Sequence, residues 1–372
     1  MAFVRTKEVN GRVYYQLVEN KLNKGAIAQK VIKHLGTESR ALKYCKNHSI
    51  HFPQNNRQAA TDSFFYSPKQ SAEFVTALKG RKEIPLKFEY FREGSEKWQR
   101  VVNSPDYGLG SIELGIIDQN VKRIIGDVGK ANIIDIGCGT GVKAMPLIRE
   151  MSKIKAPKYM AFDISNEMLD LAKNNLKRAF PQLNSEFVNL DFEQTNLAQE
   201  TLRIREKNFR KSLFIFLGNT LGNVSDKGRV LTNIRESMIM EDNLLIGNEL
   251  FDLERVSDII SHYKKSREVR DFVLNSLVHY GLNEKDGKII ISFNKDKSQV
   301  EGHFALKKDK TIKASNKKIE LKKGDKILLL VSYKGTLKKM QLLLADLGFV
   351  ILHTYLTPRE DYALILCKPT KI

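Results

Sequence analysis

The stretch ANIIDIGCGTGVK, residues 131–143, runs from an apolar segment into three closely spaced glycines, Gly137, Gly139 and Gly141, just ahead of a helical pattern. A short apolar run that ends in such a turn reads as a buried strand of a parallel sheet. Glycines there permit a tight bend and let a ligand come close to the backbone. The spacing narrows the class of ligand. A dinucleotide fingerprint is G-x-G-x-x-G, whereas this run is G-x-G-x-G, and the chain contains no G-x-x-x-x-G-K-[ST] phosphate loop.

From this segment onward, apolar runs alternate with helical ones. Strands are expected at 133–136, 159–163, 185–190, 213–217 and 243–247, which predicts a doubly wound, mostly parallel α/β sheet covered on both faces. Asp163 closes the second run, YMAFD, where a carboxylate can accept ribose hydroxyls, and Asp191-Phe192 follows the third run, placed for an adenine amino group and ring. The form D-x-G-x-G-x-G resembles motif I of the class I methyltransferases. With the two acids in order behind it, the resemblance implies a Rossmann-like fold and S-adenosylmethionine as cofactor.

Around this core (about 131–254 and 324–372) the pattern changes. Helical periodicity at 71–78 and 112–128 precedes it. Between about 256 and 323 an amphipathic helix and the lysine-rich, hairpin-like DGKIIISFNKDKSQVEGHFALKKD suggest an α+β substrate subdomain, completed by residues 81–130. KILLLVSYK, a helix at 337–347, FVILHTYL and DYALILCK are expected to resume the core sheet. Residues 53–80 read as a linker and helical connection. Residues 1–52 read as a small β module, with Asn10-Gly11 between two alternating runs as a hairpin signal. This opening ribbon resembles a short basic module of archaeal and transposase-related proteins.

Residues 1–50 carry ten Lys and Arg against three Glu, part of a net charge of +19 over 372 residues. Such a balance favours anionic partners without naming one, so nucleic acid is a possible partner of residues 1–52. The apolar fraction of 42% and charged fraction of 28% are those of a globular chain, and no apolar stretch reaches the ~20 residues of a membrane span. MAFVRTKEVNGR lacks the apolar core of a signal peptide. A cytoplasmic protein with free Cys45, Cys138 and Cys367 is expected. Cys45-x-x-His48-x-x-His51 offers ligand-type residues, but a structural zinc takes four, so no metal is expected.

Past the fourth strand the chain reads FLGNTLGN, residues 216–223, where nucleic-acid amino-methyltransferases carry an N-P-P-Y-like tetrad. FLGNTLGN resembles the F-L-G-x-T-I-G-N signature of the histidine-specific N-alpha-methyltransferases of ergothioneine biosynthesis. The resemblance covers about residues 86–368, through KFEYFREGSEKW, FDISNEML, DFEQ and LLIGNELFD. It implies that Gly137 and Lys143 lie by the cofactor's carboxylate, with Gly139 and Gly141 in the same turn. Asp163 and Asp191-Phe192 would take the ribose and adenine. Tyr90, Gly218, Asn223 and Tyr263 would surround the acceptor's amine and carboxylate, with Asn223 and Tyr90 orienting the amine.

Phe304 matches a wall residue of the acceptor pocket, and Ser332 a residue that reads the imidazole of histidine. Two residues before that serine the family pattern has Glu, and this chain has Leu330. Leucine cannot accept an imidazole proton, and a buried unpaired N–H costs about 1–3 kcal/mol. The expected activity is therefore N-methylation of the alpha-amino group of an amino acid or amino-acid-like metabolite, with histidine not the favoured acceptor. The alternative is a nucleic-acid methyltransferase recruited by the basic N-terminal module.

Overall fold

Residues 2–9, 12–23, 26–36, 38–48, 64–104, 108–207, 209–251 and 256–371 are described in the computed structural model, and they form two units, Met1–Thr61 and Asp62–Ile372. In the first, strands β1 (Ala2–Val9), β2 (Arg12–Asn23) and β3 (Ala26–Gly36) form an antiparallel meander, with Val4 opposite Leu17. Helix Glu38–Asn47 follows, and Val4, Tyr15, Leu17, Leu35, Ala41 and Cys45 form the core. The Asn10-Gly11 turn itself lies outside the described residues, although the runs that it separates do pair. His48 stacks on Tyr44 at 4.0 Å, and His51 also lies outside the described residues.

The second unit is built on β4 (Asn132–Ile136), β5 (Tyr159–Asp163), β6 (Ser185–Asn189), β7 (Ser212–Phe216) and β8 (Asn243–Glu249), all parallel. Four of the five are apolar and buried along nearly their whole length, the signature of strands covered on both faces. Helices Leu109–Val128, Met145–Ile154 and Asn166–Ala179 contribute to one apolar layer, and Ala198–Ile204, Lys227–Glu236 and Leu337–Asp346 to the other.

A second sheet carries β9 (Gly287–Asn294), β10 (Gln299–Leu306) and β13 (Lys326–Tyr333), in the order β13-β10-β9, with the hairpin β11 (Lys310–Ala314) and β12 (Lys317–Leu321) beside it in sequence. The core sheet is completed by β14 (Phe349–Leu356) and β15 (Tyr362–Pro369), giving the order β14-β15-β8-β7-β4-β5-β6 with β15 antiparallel to both neighbours. This is a Rossmann-like class I methyltransferase sheet with added antiparallel sheets. The chain leaves β4 toward β5 and β6, then returns to β7 on its other side. That reversal opens a crevice at the carboxyl ends of β4 and β7, where open α/β sheets bind ligands.

Two sequence expectations are corrected. KILLLVSY was expected to rejoin the parallel core, but as β13 it pairs antiparallel with β10, Leu330 opposite Gly302 and Ser332 opposite Val300. An apolar run carries no mark of the sheet that it enters. Helix Leu109–Val128, placed with the subdomain, instead packs Ile116, Ile117, Ile124 and Ile125 into the core of the parallel sheet. The region read as a connection also contributes Phe74, Val75 and Leu78 to the subdomain core. Among the described residues no helix is long and apolar enough to cross a membrane.

Candidate active site

The turn after β4 places Gly137, Gly139 and Gly141 at φ 66°, 53° and 72°, left-handed conformations in which a side chain is strained. A Cβ on Gly141 would come 3.3 Å from Ala172 Cβ, so this glycine serves the packing of helix Asn166–Ala179. A Cβ on Gly139 would meet nothing within 4 Å, and its backbone faces a cavity of about 680 Å³.

Asp163, at the end of β5, lines this cavity with a fixed carboxylate. Oδ2 accepts the Gly139 N–H at 3.0 Å and Oδ1 the Ser165 N–H at 3.0 Å. Burial pushes its pKa up to about 6, against the pull of those backbone donors. Asp135, on β4, accepts the Tyr159 hydroxyl at 2.7 Å, and burial pushes it up to about 7. Both acids share the cavity wall with Lys87 and Lys143.

At the β6 end, Phe192 lines the cavity, its ring edge-on to Phe216 at 5.7 Å. Asp191 is not among the lining residues. Its Oδ2 accepts the buried Lys87 ammonium at 2.7 Å and its Oδ1 the Glu193 N–H at 3.1 Å, while Lys87 also pairs with Glu73 at 2.8 Å. The acid that does reach the cavity is Glu193, which accepts the Ser225 N–H at 3.1 Å and is pushed by burial up to about 7.

The loop after β7 forms the opposite wall. Gly218 (φ 80°) donates its N–H to both oxygens of the fully buried Glu113 at 2.9 Å, and Lys143 Nζ lies 2.6 Å from the same carboxylate. Asn219 takes a left-handed φ of 58°, held by the Glu249 N–H that donates to its Oδ1 at 3.0 Å. The next turn, Thr220–Asn223, brings Asn223 to the cavity, where it lies beside Tyr90. Tyr90 ends the 3-10 turn Leu86–Tyr90 and packs against Trp98 at 5.4 Å and Phe272 at 4.9 Å. Burial pushes its phenol pKa upward, so the hydroxyl stays protonated.

Thus Tyr90, Gly137, Gly139, Lys143, Asp163, Phe192, Gly218 and Asn223 line one cavity. Gly141, Asp191, Tyr263, Phe304, Leu330 and Ser332 do not. Tyr263 lies against Lys334, a fully buried lysine paired with Glu249, with the ammonium 5.8 Å from its ring centre. Burial pulls the Lys334 pKa down, but Glu249 and Tyr263 outweigh it and the net shift is upward. Phe304 and Leu330 belong to the apolar core of the subdomain, and Ser332, 1% exposed, has an Oγ without a hydrogen-bond partner.

Sequence reasoning missed Glu113, Lys87, Glu193, Trp98 and Lys334. A trace of Glu113 was there to be read: it is three residues before Ile116, on the apolar stripe of its helix, where an unpaired acid is not tolerated.

The histidine-specific, S-adenosylmethionine-dependent methyltransferase family matches residues 70–369, so the basic N-terminal unit lies outside the matched region. Histidine N-alpha-methyltransferase of Mycolicibacterium smegmatis is 23% identical over 305 residues, 77% of this chain and 90% of that protein. N-methyltransferase fsqC of Aspergillus fumigatus is 20% identical over 290 residues, 76% of this chain and 78% of its own. Magnesium protoporphyrin IX methyltransferase of Synechocystis superposes with a TM-score of 0.44 at 11% identity, covering 80% of this chain and 99% of that one. With the family matched over most of its length and a methyltransferase sheet bearing a motif I cavity, the chain belongs to the histidine-specific, S-adenosylmethionine-dependent methyltransferase family.

Proposed function

We propose that the enzyme methylates the amine nitrogen of an amino acid or amino-acid-like metabolite whose side chain is apolar or aromatic. The observation that carries this reading is that Asn223 and Tyr90 lie side by side in the wall of the cavity that Asp163 and Lys143 also line.

The residues fit the cofactor. Gly139 leaves its backbone open to an incoming ligand, Asp163 presents an anchored carboxylate suited to a ribose diol, and Phe192 offers a ring for a base. Lys143, which lines the cavity with Lys87, is the cation proposed to meet the cofactor's carboxylate. When bound, S-adenosylmethionine supplies a sulfonium methyl already activated for transfer to a neutral amine. The protein's work is positioning. Neutral Asn223 and Tyr90 can accept the acceptor's N–H groups and aim the remaining lone pair, and neither favours the unreactive ammonium as a carboxylate would.

The choice of side chain rests on the family pattern rather than on the cavity wall. Leu330 replaces the acid that the pattern has for pairing an imidazole N–H, and Leu330 and Phe304 lie in the apolar core of the subdomain. Methyl transfer from radiolabelled S-adenosylmethionine to a panel of free amino acids tests this. Apolar and aromatic amino acids are expected to have a higher kcat/KM than histidine. Histidine as the best acceptor would overturn the side-chain assignment, and no transfer to any amine would overturn the function.

A further inference from the structure

Glu113 lies on helix Leu109–Val128, whose inward face is otherwise apolar, and is fully buried. A buried carboxylate is costly unless ion-paired and hydrogen-bonded. Three donor atoms from three other segments satisfy this one. The Gly218 N–H donates to both oxygens at 2.9 Å, the Tyr362 hydroxyl donates to Oε1 at 2.6 Å, and Lys143 Nζ stands 2.6 Å from Oε2. Room has been left for it as well: a Cβ on Gly247 would lie 2.1 Å from Glu113 Oε1, and one on Gly218 would lie 2.9 Å from Lys143 Nζ.

Stability alone does not call for this arrangement, because apolar groups of similar volume often replace a buried ion pair without loss. What the acid adds is the orientation of a cation at the cavity wall. Lys143 has a flexible four-carbon stem and would otherwise lose rotamer freedom each time a ligand is bound. We propose that Glu113 is a positioning residue, a buried carboxylate that holds the Lys143 ammonium in place to receive the cofactor's carboxylate. The ammonium has three donors, so Glu113 and a ligand can be served together. The inference rests on the proposed placement of Lys143 beside that carboxylate.

The test is calorimetric binding of S-adenosylhomocysteine and of its decarboxylated analogue to the full-length wild type and Glu113→Gln, with the thermal midpoint as a check on folding. Wild type is expected to prefer the carboxylated ligand. Glu113→Gln is expected to bind S-adenosylhomocysteine about tenfold more weakly, the scale of one charge-assisted hydrogen bond, and the analogue within about twofold of wild type. Unchanged or tighter binding of S-adenosylhomocysteine, or equal losses for the two ligands, would overturn the positioning role. A wild type that does not distinguish the ligands would overturn the Lys143 placement, and this inference with it. Should Glu113→Gln not fold, Tyr362→Phe removes one donor to Glu113 from outside the cavity. It is expected to show the same selective loss at about two- to threefold, and no selectivity would overturn the proposal.

Discussion

Lys87 and Asp191 form an ion pair of 2.7 Å, with the lysine buried, so the acid that its position after β6 assigns to an adenine amine is already engaged. Lys87 also holds Glu73 and faces Glu193, one cation among three acids. Removing it leaves those carboxylates uncompensated. Lys87→Met is expected to lower stability by about 2–4 kcal/mol at pH 8, toward the low side of a fully buried pair because Glu73 and Asp191 are partly exposed. Protonation of Glu193, which burial pushes up to about 7, relieves part of the repulsion, so the loss should shrink toward pH 5, which denaturant titrations at the two pH values would read. An equal loss at both would show that the acids do not depend on Lys87.

Glu89 is fully buried, accepts the Ser276 N–H at 2.8 Å, and is pushed by burial up to about 8. Its folded pKa lies above its unfolded one, so the folded state binds the extra proton. The associated stability is full below the unfolded carboxylate value and fades as pH rises through about 8. Asp135 and Glu193, both at about 7, act in the same direction. The cofactor-free protein should therefore lose thermal stability between pH 5 and 8, and Glu89→Gln should flatten the slope. A midpoint that climbs over this range in the wild type would contradict the assignment.

Asn223 and Tyr90 are assigned to the acceptor amine rather than to the cofactor. Asn223→Ala is expected to lower kcat by about 10²-fold, a typical cost of lost orientation, while S-adenosylhomocysteine binds within about twofold of wild type. Tyr90→Phe should cost about tenfold, the share of one hydrogen bond. Steady-state kinetics beside calorimetry separates these effects, and a parallel loss of cofactor binding would move both residues to the donor side.

Leu330→Glu restores an acid two residues before Ser332. The histidine-to-phenylalanine ratio of kcat/KM is expected to rise by about 10- to 100-fold, since a pocket that pairs a polar group discriminates more sharply than an apolar one. The same carboxylate enters an apolar cluster, so the thermal midpoint should fall. No change in the ratio would place the acceptor's side chain elsewhere.

The parallel core was legible from the sequence because each strand is one apolar run followed by a turn or cap, and β5 begins and ends where YMAFD does. Asp163 and the glycine turn were legible because strand, turn and acid follow a fixed order. Lys87 with Asp191, and Glu113 with Gly218, were not. Their partners lie about 100 residues apart, and no local pattern records which distant charges will meet. The sheet joined by β13 was hidden for the same reason: its partner β10 is chosen by topology, while its own residues say only that it is buried.

The most direct test of the central claim is competition. Wild-type enzyme with S-adenosylmethionine and an equimolar mixture of free amino acids is sampled over time, and the methylated products are located by tandem mass spectrometry. Methyl groups should accumulate first on the amine nitrogen of an apolar or aromatic amino acid, and Asn223→Ala should slow the appearance of that product by about 10²-fold. A mixture with no methylated amine, or with histidine methylated first, would contradict the account.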